Sequence, residues 1–256
     1  MRLRCGVLVA AALLVPAVAA SAQEGITVTC TNEGIRAVSP LPVPFATVQV
    51  GGLTGILTPC ITQKGKELFL NAHFSSALGS GDVHAEMNPD PFITFGATTT
   101  NAIAGTVSYA FLFGTPVVPA SYNTAKSSGG VTVAPGAANN THVTTSPIYP
   151  KYISGYGTLG LAATNLGVDN GTAPCNATTV NNTCNFALVT NTFPPTPYDN
   201  LEALLTYNQD DMQSVASWSG RVDLLVTAVP EPTTVALTVS GLLALAGVAR
   251  TRRRAR

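Results

Sequence analysis

The residues best suited to chemistry are few and scattered. His73, His84 and His142 fall in separate segments with no metal-ligand spacing, so each reads as a structural or exposed strand residue. The densest polar cluster is Asp82, Glu86, Asn88 and Asp90, with His84 among them. Hard oxygen ligands around a turn can hold Ca²⁺, but this spacing fits no defined calcium loop. A solvated turn preceding a strand is the expectation there, with no metal and no cofactor. A nucleophilic hydrolase would place a Ser or Cys beside a base, and the chain has no Gly-x-Ser-x-Gly elbow. A paired-carboxylate glycosidase needs two acids facing each other across a cleft, and nothing in the sequence singles out a pair. The chain therefore reads as non-catalytic.

Trp218 is the only tryptophan. Exposed, it would give a carbohydrate-binding platform that Tyr149, Tyr152, Tyr156 and Tyr207 could extend. Packed in the core beside the last strand, it would be a structural residue, and that is the expectation. Four cysteines lie downstream of the N-terminal segment: Cys30, Cys60, Cys175 and Cys184. An even number suits disulfides in an oxidising compartment, whereas a thiol or zinc site would call for a Cys-x-x-Cys or a nearby His. Of three possible pairings, Cys30–Cys60 with Cys175–Cys184 is preferred, because the second pair encloses a short Asn/Thr-rich loop.

The elements that must position these residues read as strands. Ile26, Val28 and Cys30 alternate with threonines, and a proline-rich crossing follows at Pro40, Pro42 and Pro44. Phe45 to Val50 and Leu53 to Ile61 flank a Gly51-Gly52 turn. Leu68, Leu70, Ala72 and Phe74 share one strand face, and Gly79 to Asp82 read as the next turn. Phe92 to Gly96 and Gly105 to Gly114 read as a hairpin at the core of a sandwich, with Val107, Tyr109, Phe111 and Phe113 on one face. Tyr122 to Thr192 reads as short strands with long loops. Leu201 to Tyr207, a turn at Asn208 to Asp211, and Arg221 to Val226 read as strand, turn and final strand; the alternative is a helix with Leu201, Leu204, Leu205 and Asn208 on one face and Asp199 as cap. The fold class this implies is an all-β antiparallel sandwich, jelly-roll-like, over residues 23–228.

The two ends carry a different signal. Arg2 and Arg4 precede an apolar stretch from Val7 to Ala19 and the small-residue pattern Ala20-Ser21-Ala22, which reads as a signal peptide over residues 1–22. At residues 229–256, Val229, Pro230, Glu231 and Pro232 stand before an uncharged run from Thr233 to Ala249. Its 17 residues would span roughly 25 Å as a transmembrane helix, near the lower limit for a bilayer core. Arg250, Arg252, Arg253, Arg254 and Arg256 follow as a cytoplasmic retention signal. With these residues set aside, six basic residues face thirteen acidic ones, leaving about −7 on the exported part. That argues against nucleic acid as a partner, since phosphate binding needs clustered cations.

Val-Pro-Glu-Pro, apolar run and arginine tail, in that order, resemble the PEP-CTERM sorting signal of exported bacterial proteins. The resemblance covers only about the last 28 residues. It implies that Pro230, Glu231 and Pro232 are a substrate motif for an exosortase. The inner-membrane anchor would then be transient, and the protein would reach the cell surface or extracellular space. The pattern Asp90-Pro91-Phe92-Ile93 followed by Phe111-Leu112-Phe113-Gly114-Thr115-Pro116 is loosely similar to bodies carried by such tails, and it implies no activity. The expectation is a non-catalytic surface or matrix protein, associated with exopolysaccharide or biofilm. The alternatives are a secreted carbohydrate-binding module or glycan-active enzyme, and a protein whose tail stays as a permanent anchor.

Overall fold

Alternation between apolar and Ser/Thr positions makes strands, and the computed structural model, which describes residues 25–31 and 44–226, consists of little else. In chain order these are β1 (Thr27–Cys30), β2 (Phe45–Val50), β3 (Leu53–Ile56), β4 (Ile61–Lys64), β5 (Glu67–Ser75), β6 (Gly79–Asn88), β7 (Phe92–Asn101) and β8 (Val107–Pro116). Then follow β9 (Tyr122–Ala134), β10 (Thr141–Thr144), β11 (Ile153–Leu159), β12 (Ala162–Asn165), β13 (Cys175–Ala177), β14 (Asn182–Thr196), β15 (Asn200–Gln209) and β16 (Val215–Leu225). The leader over residues 1–22 lies outside the described residues. So does the sorting segment over 229–256, with Val229, Pro230, Glu231, Pro232 and the tail arginines. Among the described residues, no helix is long and apolar enough to cross a membrane.

The strands form two antiparallel sheets. The first runs β1–β5–β6–β7–β16–β9–β14, with β4 also on β5; the second runs β12–β11–β15–β8–β2–β3, with β10 on β15 and β13 on β10. Their inner faces meet in one core. Val107, Tyr109, Phe111 and Phe113 are all buried, as are Leu68, Leu70, Ala72 and Phe74. Rings interlock between the sheets: Phe74 meets Phe111 edge-on at 5.7 Å, and Phe95 stacks on Phe113 at 5.2 Å. Gly51 and Gly52, at φ 56° and 88°, make the two-residue turn joining β2 and β3, where both positions require the left-handed region.

The disulfides are Cys30–Cys60 and Cys175–Cys184, the pairing preferred from the loop lengths. β1 and β4 lie end to end along one edge of β5, with Cys30 opposite Ala72 and Ile61 opposite Leu70. The first bridge clasps that junction. The second ties β13 of one sheet to β14, the edge strand of the other. Such bridges belong to an oxidising environment.

Four expectations about connections are corrected. Phe92 to Gly96 and Val107 to Gly114 are strands but not a hairpin, because β6 and β16 occupy both edges of β7. The link between β7 and β8 instead crosses from sheet to sheet, held by the Asn101 side chain. Its Nδ2 donates to the Gly105 carbonyl at 2.8 Å, and its Oδ1 accepts from Ile103 N at 2.9 Å. Gly79 to Asp82 open β6; the turn lies just before them, where Ser76 Oγ accepts from Gly79 N at 3.2 Å. Residues 122–192 hold β9, of 13 residues, and most of β14, of 15, the two longest strands. β14 sits at an edge with little burial, so its polar composition resembled a loop. Asn208 to Asp211 do not form a hairpin turn, since β15 and β16 belong to different sheets. There Asp211, at φ 65°, folds its carboxylate back onto the 136–141 loop.

Candidate functional site

Because side chains alternate along a strand, the residues between the core positions of the second sheet form a continuous outer face. On β15, Leu201, Ala203 and Leu205 go inward, which turns Asn200, Glu202 and Leu204 outward. Strand register then sets what stands beside them. One row across five strands reads Phe45, Gly114, Glu202, Tyr156, Asn165. The adjacent row reads Thr47, Leu112, Leu204, Ser154. Gly114 leaves a gap in the first row, and the ring of Phe45 lies over it; a Cβ there would collide with that ring.

Thr47, Leu112, Leu204, Glu202 and Tyr156 of these rows line a groove of about 310 Å³, with Gln49 and Tyr149 beside them; Phe45 stands further along its row. Tyr149 rises from the loop before β11 and is 42% exposed, while Tyr156 is half-buried. Burial raises the Tyr156 phenol above its ordinary pKa, and the charge of Asp169 raises it further; the Ser154 hydroxyl and Asn165 amide beside it work the other way. Asp169 is itself held by Asn165 Nδ2 at 3.1 and 3.2 Å. Glu202 is half-buried, and desolvation alone pushes its carboxyl above the usual carboxylate value. Among the described residues its side chain has no hydrogen bond or ion pair, and no Lys, Arg or His lines the groove. One row further along the same face stand Asn200 and Thr158, directly opposite each other. Their buried Oδ1 and Oγ1 atoms also lack partners.

The groove therefore offers aromatic and aliphatic surface, a carboxylate, an amide and hydroxyls, all on strands rather than on loops except for Tyr149. That combination suits a ligand with apolar faces and many hydrogen-bonding edges.

The residues singled out from sequence fall elsewhere, with two exceptions. Of the aromatic residues considered for a platform, only Tyr149 and Tyr156 face the groove. Trp218 is 4% exposed and packs against Tyr207 at 4.7 Å, Tyr152 at 5.0 Å and Phe186 at 6.1 Å. It lies on β16 and packs in the core, as expected, and so offers no platform. The calcium candidate is also dispersed. Asp82 and Glu86 alternate outward along β6, so their Cα atoms are roughly 13 Å apart, too far to share an ion. Asp82 instead meets His73 Nδ1 at 3.0 Å, and Asn88 Oδ1 accepts from Asp90 N at 2.9 Å to shape the turn before β7. No group of three His, Cys, Asp or Glu is placed to hold a metal among the described residues. His142 pairs with Asp210 at 2.9 Å, far along the chain from the other two histidines. Gln49 and Glu202 were missed as groove residues, and Phe45 as the aromatic further along the Glu202 row. The alternation of Leu201, Ala203 and Leu205 was visible, but which strands flank β15 was not.

No family model and no curated protein matches the chain. Among solved structures, one similar chain comes from work on the promiscuous specificity of carbohydrate-binding modules of the β-sandwich superfamily. It is 11% identical with a TM-score of 0.28, over 79% of this chain and 97% of that one. Another is the enzymatically active domain of tailspike protein 4 of bacteriophage CBA120. It is 10% identical with a TM-score of 0.20, over 80% of this chain and 20% of that one. Superpositions at those scores assign nothing to the groove; the chain is established as an antiparallel β-sandwich by its own strand pairing.

Proposed function

We propose that this chain is an exported, non-catalytic glycan-binding protein, a jelly-roll-like sandwich that holds a polysaccharide strand on the outer face of its second sheet. The observation that carries the reading is the joint placement of Tyr149, Tyr156 and Glu202 in one groove walled by strands. Tyrosine rings offer flat apolar surface to sugar faces while their hydroxyls stay hydrated. Gln49, Thr47 and Glu202 supply hydrogen-bonding groups at the edges. Among the described residues Glu202 is the one carboxylate lining the groove, which supports binding over paired-acid hydrolysis.

Export follows from the leader-like first 22 residues and the PEP-CTERM-like end, with an exosortase releasing the protein from the inner membrane into an exopolysaccharide-rich envelope. Two experiments test the two halves. Protein recovered from the host's envelope and medium should have an intact mass lacking residues 1–22 and everything beyond about Pro232. A mass that keeps the arginine tail would make the tail a permanent anchor. In affinity electrophoresis through polysaccharide-containing gels, the protein should be retarded, and Tyr156→Ala should migrate freely. Equal mobility of wild type and variant in every gel would refute the groove as the binding surface.

A further inference from the structure

Among the described residues the groove has one formal charge and nothing to neutralise it. Glu202 stands in the row Phe45, Gly114, Glu202, Tyr156, with uncharged neighbours on every adjoining strand. Its half-buried carboxylate has no hydrogen bond or ion pair among the described residues. A partly desolvated, unpaired charge is unfavourable, and a ligand that supplies a cation relieves that penalty on binding. A polyanion would add to it, because no Lys, Arg or His lines the groove and the exported part carries about −7.

We infer that the glycan held in this groove carries free amino groups, and that Glu202 receives a sugar ammonium between the rings of Phe45 and Tyr156. This rests on the glycan-binding reading above and specifies its ligand class. The carboxylate accepts a charge-assisted N–H···O bond from the ammonium, and the rings on either side cover the sugar's apolar faces. Strands are about 4.8 Å apart, so the Cα atoms of Phe45 and Tyr156, three strands apart, stand roughly 14 Å from each other, with the Phe45 ring leaning inward over Gly114. The ligand would cross the strands along that row.

The test compares three hexasaccharides by calorimetry with the protein purified as its host exports it: glucosamine, N-acetylglucosamine and a hexuronate. The glucosamine hexamer should bind about tenfold tighter than its N-acetylated counterpart, the difference expected between a charge-assisted and a neutral hydrogen bond. The hexuronate should not bind. Glu202→Gln should bring the first two to within about twofold of each other, while Tyr156→Ala should weaken both. Non-specific attraction of a cation to an acidic protein would persist in both variants, and that result overturns the inference. Equal binding of the glucosamine and N-acetylglucosamine hexamers by the wild type also overturns it, while leaving glycan binding intact. Failure of all three to bind would remove the glycan reading itself. Unchanged Trp218 fluorescence in each variant confirms that the sandwich is folded.

Discussion

Asp211 offers the sharpest test of how the sheet-to-sheet links are held. Its carboxylate is 7% exposed and accepts from Gly136 N at 3.1 Å, Ala138 N at 2.9 Å, Asn140 N at 3.5 Å and Thr141 Oγ1 at 3.2 Å. Burial pushes the group's pKa up, but the donors from Ala138, Asn140, Thr141 and Gly136 outweigh it and leave it below its ordinary 3.8. Asp211→Asn keeps the shape, and Asn tolerates the φ of 65°, so the backbone is not strained. The bonds from Gly136 and Thr141 are shielded, and losing the charge costs each about 1 kcal/mol, the gap between charged and neutral hydrogen bonds. The bonds from Ala138 and Asn140 lie on exposed residues and count for less. An amide NH₂ turned toward Ala138 N–H adds up to about 1 kcal/mol. The total is about 2–3 kcal/mol, or a fall in Tm of roughly 5–10 °C for a domain of this size. The sign with pH follows from the lowered pKa. The stabilisation is present above about 3.8 and is lost as pH falls through the lower folded value, so the variant and wild type should converge in acid. Thermal unfolding followed by Trp218 emission at pH 7 and at pH 2.5 reads both effects. A variant melting within about 2 °C of wild type at pH 7 would mean the loop is held by packing alone.

Glu202 should behave in the opposite way. Its carboxyl is raised above 4.5 by burial, so the folded chain holds its proton more tightly than the unfolded chain, and stability declines as pH rises through that window. Glu202→Gln should therefore melt higher than wild type at pH 7 and equal to it near pH 4; a lower melt at pH 7 would show that the carboxylate has a stabilising partner. Removing the disulfides should cost about 3.6 kcal/mol for Cys30–Cys60 and about 2.6 kcal/mol for Cys175–Cys184, from loop lengths of 30 and 9 residues, as read by denaturant midpoints of paired Cys→Ala variants. Equal losses would favour a native-state origin over chain entropy. Gly114→Ala should displace the Phe45 ring and weaken glycan retention with little change in Tm, because the colliding atoms are the far end of a side chain. Full retention would remove Phe45 from the site.

Strand identity was legible wherever apolar residues alternated strictly, as from Leu68 to Phe74 and from Val107 to Phe113. Partners were not. Phe92 to Gly96 and Val107 to Gly114 are close in sequence, and proximity favoured a hairpin; only the long-range pairing of β7 with β16 assigns them to different sheets. β9 and β14 read as short strands between loops because their edge and outward positions carry Ser, Thr and Asn, the same residues that mark loops. The short disulfide was readable because loop length alone favoured it. The groove was half-legible. Tyr149 and Tyr156 were named as aromatics, but Glu202 acquires meaning only from register, which sets it beside Tyr156 and opposite Gly114. Trp218 drew attention by its rarity and belongs to the core.

The chain's last two strands do not add to the edges of the sandwich. β16 lies between β7 and β9, and β15 lies between β8 and the β10/β11 edge. Neither sheet can close until residues 200–225 are available, so folding of the sandwich waits on its last two strands. A chain halted before Asn200 would present four unpaired strand edges and should aggregate rather than settle into a partial domain. Only seven residues separate Leu225 from the apolar run at Thr233, a reach of about 25 Å when extended. If that run is held in the bilayer, both sheets must close within this distance of the membrane surface. The strand that completes the first sheet would then be the one nearest the membrane.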